Sequence, residues 1–169
     1  MSTDLDSLAV TVVVALEGRT LATAESLTGG QIGATLTAIP GASKVYRGGV
    51  ISYASDLKVS LLDVPESLIQ AGGAVQADVA LTMARGAAAN LNADFGLAVT
   101  GVAGPSSQDG KRPGTVFVAC VERRADGSFG EEQVEELHLN PELEDIREAR
   151  AAVREETVAA ALELLLTFL

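Results

Sequence analysis

An α/β fold, specifically a three-layer α/β/α sandwich around a mixed, mainly parallel sheet, is what this sequence predicts. Three observations predict it. Short apolar runs alternate with amphipathic stretches from the N-terminus to Thr100, as strand–helix–strand units do. Two later runs, Thr115–Arg123 and Glu132–Leu139, flank Ala125-Asp126-Gly127 and read as a hairpin, which makes the sheet mixed. The 169 residues are 47% hydrophobic but only 4% aromatic with no Trp, so Ala, Val, Leu and Gly must pack closely spaced elements in one unit, 1–169.

The elements follow in order. Leu5, Leu8, Val12 and Leu16 recur at helical spacing, predicting a helix over Leu5–Glu17 that ends at Gly18. Thr20–Ala24 reads as a strand, Gly29–Ala38 as a helix closed by Pro40-Gly41, and Gly49–Ala54 as a second strand bounded by paired glycines. A short helix over Asp56–Leu62 and a brief turn of helix after Pro65 come next. Gln76–Leu91 is a longer helix in which Ala84, Gly86, Ala87 and Ala88 permit close backbone approach. Phe95–Thr100 is a buried strand running into the loop Gly101–Gly114; after the hairpin, a final helix spans Leu143 to Phe168. Ligands collect at the carboxyl ends of strands in such sheets. The loops Glu25–Gly30 and Gly101–Gly114 both lie there.

Bulk charge narrows the function. The formal net charge of −11 repels phosphate backbones and anionic membranes, so neither nucleic acid nor a membrane surface is expected as a partner. A small phosphorylated ligand remains compatible if a few Arg, Lys or N–H groups are focused locally. Cys120, the single cysteine, sits in an apolar run and reads as a buried structural thiol. The acidic N-terminus lacks a signal-peptide pattern and no apolar stretch reaches membrane-span length, which predicts a cytoplasmic protein. The run Ala159–Leu169 is apolar on nearly every face and suits a buried helix or a contact between copies in a homo-oligomer.

Candidate chemistry concentrates between Thr23 and Lys58. The turn Glu25-Ser26-Leu27-Thr28-Gly29-Gly30 puts hydroxyls and backbone N–H groups at a helix N-terminus, where an anion is favoured. The plainer alternative is that Ser26 or Thr28 only caps the helix. Ser43 and Lys58 form a second candidate: a serine hydroxyl is a weak nucleophile until a base takes its proton, and a lysine made neutral by burial can be that base. Tyr53 can relay the proton or orient the lysine, although a lysine at this spacing is more often a solvated surface group. Ser55-Asp56-Leu57-Lys58 is a literal Ser-x-x-Lys, but Ser55 directly precedes the expected helix and reads as its N-cap. His138 is the only histidine, and no Cys-x-x-Cys or His-Glu-x-x-His occurs, so neither a histidine triad nor a metal site is expected. Arg147, Arg150 and Arg154 are interleaved with Glu144, Glu148 and Glu155, as in surface ion pairing.

Together these blocks resemble the C-terminal domain of CinA, found alone as PncC-type nicotinamide mononucleotide amidohydrolases. The resemblance runs through Thr23–Gly30, Pro40-Gly41-Ala42-Ser43 with Gly48-Gly49, Tyr53, Lys58, Thr100–Pro105 and Pro113–Val116. It implies hydrolysis of the carboxamide of nicotinamide mononucleotide, a small-molecule nucleotide, to nicotinate mononucleotide and ammonia, with no cofactor and no metal. By motif it implies Ser43 as nucleophile, Lys58 as general base and Tyr53 as an assisting group. Ser26, Thr28, Gly29 and Gly30, with Thr100, Gly101 and Arg150, fall at pocket positions. Leu27 stands where the family has cysteine, and Ser106-Ser107 where it tends to have glycines. The N-terminal domain of full-length CinA proteins has no counterpart in this sequence, so its activities are not expected.

Overall fold

Asp4 sets the first element: its carboxylate accepts the N–H groups of Asp6 and Ser7 and so caps helix α1 (Leu5–Ala15). The computed structural model describes residues 4–169, and the first three positions of the expected unit 1–169 lie outside the described residues. Strand β1 (Leu21–Glu25) is buried at every position, as a central strand covered on both faces must be. Helix α2 (Gln31–Thr37) follows, then a short 3-10 turn, Ala42–Lys44, and strand β2 (Tyr46–Ile51).

The paired glycines therefore lie inside β2 rather than before it. The β1–β2 register slips between Leu21↔Tyr46 and Ala22↔Gly48, and Gly48 takes φ +142° at that irregularity. Gly49 makes room for a half-buried pair: the hydroxyls of Tyr46 and Thr23 lie 2.7 Å apart, and a side chain at Gly49 would overlap both.

Helices α3 (Ser55–Leu62), α4 (Glu66–Gly72) and α5 (Ala77–Asn90) lead to strand β3 (Phe95–Gly101). Strands β4 (Thr115–Arg123) and β5 (Phe129–His138) form the expected hairpin, and α6 (Ile146–Leu166) closes the chain. Helix α6 starts at Ile146 because the Asp145 carboxylate accepts the N–H groups of Arg147 and Glu148 there.

The sheet has five strands in the order β2-β1-β3-β4-β5. Pairing is parallel across β2, β1 and β3 and antiparallel across β3, β4 and β5. Period-two alternation sends Phe95, Leu97 and Val99 of β3, with Val116, Val118 and Cys120 of β4, into one layer with α1, α2 and α6. Ala98, Phe117, Ala119 and Val121 face the other layer, built on α3, α4 and α5. That second layer is drawn tight by small residues. A methyl on Gly96 would overlap the Ala84 carbonyl, and one on Gly86 the Leu62 carbonyl. Each Leu, Val or Phe so buried contributes about 1.5–3 kcal/mol.

The connection from β1 to β2 covers one face and that from β2 to β3 the other. β1 is thus the point where the winding changes sides, and a crevice opens at the carboxyl ends of β1 and β3.

Candidate active site

Glu25 ends β1 and is buried, with its carboxylate folded under α2. Oε1 accepts the Thr28 hydroxyl at 2.7 Å and the Ile32 N–H at 2.9 Å; Oε2 accepts the Gly33 N–H at 3.1 Å. The helix start expected to attract an external anion is therefore satisfied from within by a carboxylate. Thr28 spends its hydroxyl on the same group, and Gly30, at φ +100°, makes the bend into α2. Ser26, one residue past the strand, is left at the crevice.

Lys58 is the largest polar side chain in the interior, only 1% exposed. It rises from the first turn of α3, and its Nζ donates to Ser26 Oγ at 3.0 Å and to the Ser52 carbonyl at 2.6 Å. The Tyr53 carbonyl lies a further 3.4 Å from Nζ. Burial disfavours the ammonium and lowers the Lys58 pKa to about 8, a fall opposed by the negative charge of Asp109. A lysine so placed can take the proton of a neighbouring hydroxyl, the chemistry that arms a serine as a nucleophile. With the amine charged, Nζ donates to Oγ; with it neutral, the hydroxyl donates across the same gap.

An open cleft of about 450 Å³ lies over this pair. Its walls include Ser26, Leu27, Tyr53, Ser55, the run Gly101–Gln108 and Arg150. Tyr53 and Arg150 join across the rim: Nη2 of Arg150 donates to the Tyr53 hydroxyl at 3.0 Å, while Nη1 donates to the Gly104 carbonyl at 2.6 Å.

Thus Ser26, Tyr53, Lys58, Gly101 and Arg150 are brought together. Thr28, Gly29, Gly30 and Thr100 do not line the cleft: Thr28 and Thr100 are buried, Gly29 is exposed, and the Thr100 hydroxyl donates to the Ala74 carbonyl at 2.8 Å. Ser43 does not join them. It is exposed on the 3-10 turn and lines a separate depression with Thr37, Ile39, Tyr46 and Arg47. The expected Ser43–Lys58 pairing is corrected to Ser26–Lys58, because β2 carries the chain away from Ser43 before α3 turns Lys58 back against the end of β1. Ser55 is also corrected: it is the first residue of α3, and Ala54 holds the cap position.

Residues 5–169 match the sequence pattern of the CinA C-terminal domain. This chain belongs to the CinA C-terminal domain family. A CinA-like protein of Synechococcus sp. (strain RCC307) is 45% identical over 155 residues, covering 85% of this chain and 37% of the relative. One from Parasynechococcus marenigrum (strain WH8102) is 42% identical over 162 residues, 95% of this chain and 36% of that protein. The chain spans little more than a third of the length of these relatives. Among solved structures, the competence/damage inducible protein CihA from Agrobacterium tumefaciens superposes with a TM-score of 0.85 at 33% identity, over 98% of this chain and 95% of that one. A CinA superfamily protein from Klebsiella pneumoniae gives 0.82 at 28% identity, over 98% and 99%.

Two charged side chains of this CinA domain escaped the sequence. Arg154 donates from Nε to the Leu27 carbonyl at 3.0 Å and from Nη2 to the Thr28 carbonyl at 2.9 Å, holding the Ser26 turn from α6. Nothing in its glutamate-rich surroundings separates it from a surface ion pair. Asp109 accepts the Ala74 N–H at 3.0 Å. Its only sequence signal was Asp109-Gly110, a tight-turn dipeptide, and both residues take positive φ.

Proposed function

We propose that this CinA domain hydrolyses a small carboxamide, nicotinamide mononucleotide, with Ser26 as nucleophile and Lys58 as general base. The observation that carries the reading is the 3.0 Å contact between Lys58 Nζ and Ser26 Oγ at the floor of a cleft large enough for a nucleotide. Neutral Lys58 takes the Ser26 proton as Oγ adds to the carboxamide carbon. Among the described residues the backbone N–H groups of Leu27 and Thr28 have no acceptor, which makes them the candidate donors to the oxyanion. Collapse breaks the C–N bond, the Lys58 ammonium returns its proton to the nitrogen, and ammonia leaves an acyl-serine. Water, deprotonated by Lys58, then releases the carboxylate and restores Ser26. Arg150 at the rim supplies a cation for the substrate's remote phosphate.

A second reading, a different small amide as substrate, is favoured by one observation. Ser106 and Ser107 line the cleft and present side chains where family members tend to have glycines.

The test is ammonia release from nicotinamide mononucleotide by chelator-treated protein. Ser26→Ala is expected to lower turnover by about a thousandfold or more, and Ser43→Ala to leave it within about twofold with stability within about 0.5 kcal/mol. Loss of turnover in Ser43→Ala with retention in Ser26→Ala would return the nucleophile to the 3-10 turn. Silence of well-folded wild type on this substrate and activity on another amide would establish the second reading.

A further inference from the structure

We propose that Ser106, Ser107 and Gln108 form a specificity wall that reads the vicinal hydroxyls of a ribose phosphate, the unit this cleft takes as part of its ligand. The wall is a span of chain held at both ends. At one end the Gly104 carbonyl accepts Nη1 of Arg150 at 2.6 Å. At the other, Asp109 Oδ2 accepts the Ala74 N–H at 3.0 Å, and Gln108 and Lys111 exchange backbone bonds of 3.0 and 2.8 Å. Between these anchors Pro105 fixes one backbone angle. The three side chains are exposed and line the cleft together with Ser26. Among the described residues they bond to no other protein group, so the span is held by its backbone and by its ends while its side chains stay available.

The chemistry of the lining selects the ligand. Tyr53 and Ser55 add further hydroxyls, and Arg150 is the only charged residue of the lining. A hydroxyl or a carboxamide both donates and accepts hydrogen bonds. An alcohol group on a ligand does the same, whereas a phosphate oxygen accepts and an apolar ring does neither. Such a lining complements a ligand dense in hydroxyls with a single anionic group. Arg150 serves the anion, because its contacts to Gly104 and Tyr53 leave further guanidinium N–H groups over. A ribose phosphate has both features. A pair of glycines at 106 and 107 would leave this part of the wall without side chains, so the reading of the sugar belongs to Ser106 and Ser107 of this chain. The part the wall plays in turnover rests on the Ser26–Lys58 reading, but its recognition of a sugar does not.

The experiment is an amide NMR titration of the whole chain with ribose 5-phosphate, 2-deoxyribose 5-phosphate and inorganic phosphate. Ribose 5-phosphate is expected to shift the amides of the 101–108 run and to bind about three- to tenfold more tightly than the deoxy sugar, the worth of one exposed hydrogen bond. In the triple variant Ser106→Ala, Ser107→Ala, Gln108→Ala the preference should fall to within about 1.5-fold, the ribose losing affinity toward the value for the deoxy sugar. Amide positions outside the loop report that the variant is folded. Equal affinity for the two sugars in the wild type overturns the proposal, as does a preference that survives in the triple variant. So does inorganic phosphate binding as tightly as ribose 5-phosphate, which would make this an anion site only, or the absence of any shift in the 101–108 amides. None of these compounds contains an amide, so the outcome stands apart from ammonia release. Hydrolysis without sugar preference removes the wall alone, and sugar preference without hydrolysis removes only the nicotinamide reading.

Discussion

Lys58 concentrates the cost of the site in one side chain. An ammonium excluded from water destabilises the fold, and its lowered pKa makes that cost pH-dependent. The unfolded chain binds the Lys58 proton up to about pH 10.5 while the folded chain releases it near 8, so the Lys58 contribution to stability is expected to rise through this window. Lys58→Met should lose turnover and also lose this rise, which amounts to on the order of 3 kcal/mol in full. Urea unfolding of both proteins across pH 7.5–10.5 measures it. Burial raises the pKa values of the Cys120 thiol and the Tyr46 hydroxyl, and both act in the opposite sense, the thiol already within this window, but both are shared by the two proteins and drop out of the comparison. In the wild type, turnover should climb through a midpoint near pH 8 as Lys58 becomes the neutral base.

At the scale of elements, small residues decide how near α5 lies to the sheet and to α3. Gly86→Ala would press a methyl into the Leu62 carbonyl at the end of the helix that carries Lys58. The expected cost is about 1–3 kcal/mol, read as a lowered Tm, with turnover falling as α3 shifts. Arg154→Leu should act on the turn instead, slowing turnover at least about tenfold while the fold survives, because two carbonyls of the Ser26 turn lose their donors. The elements themselves were legible: the apolar periods of β1, β3 and β4, and the small-residue face of α5, all lie close to where the sequence places them. The start of β2 was not, because Gly48 and Gly49 read locally as a boundary and only the pairing with β1 explains them inside a strand. The pairing of Ser26 with Lys58 was equally hidden. The motif resemblance pointed to Ser43, whereas parallel β1 and β2 bring residues 32 positions apart into contact at their common end. A buried lysine and a surface lysine look alike until the fold supplies the burial.

The whole molecule sets the field that a substrate meets. With a net charge of −11 the protein repels an anionic ligand at long range, while Arg150 places a positive charge on the cleft wall. Screening should therefore help: kcat/KM for an anionic amide is expected to rise, by up to about twofold, as salt goes from 0.01 to 0.15 M, while a neutral amide shows no such rise. A steep fall for the anion would mean that local cations outweigh the global charge. Among the described residues no helix is long and apolar enough to cross a membrane.

The clamp of α6 on the Ser26 turn reaches across most of the chain, since Arg154 and Leu27 are 127 positions apart. Both arginines that hold the cleft lie beyond the exposed hairpin turn at Asp126, and Ser26, Lys58 and the 101–110 loop lie before it. A chain divided at that turn therefore separates into one fragment that owns the chemistry and another that owns its alignment. Neither should turn over substrate alone, and their reassembly would be reported by the reaction itself.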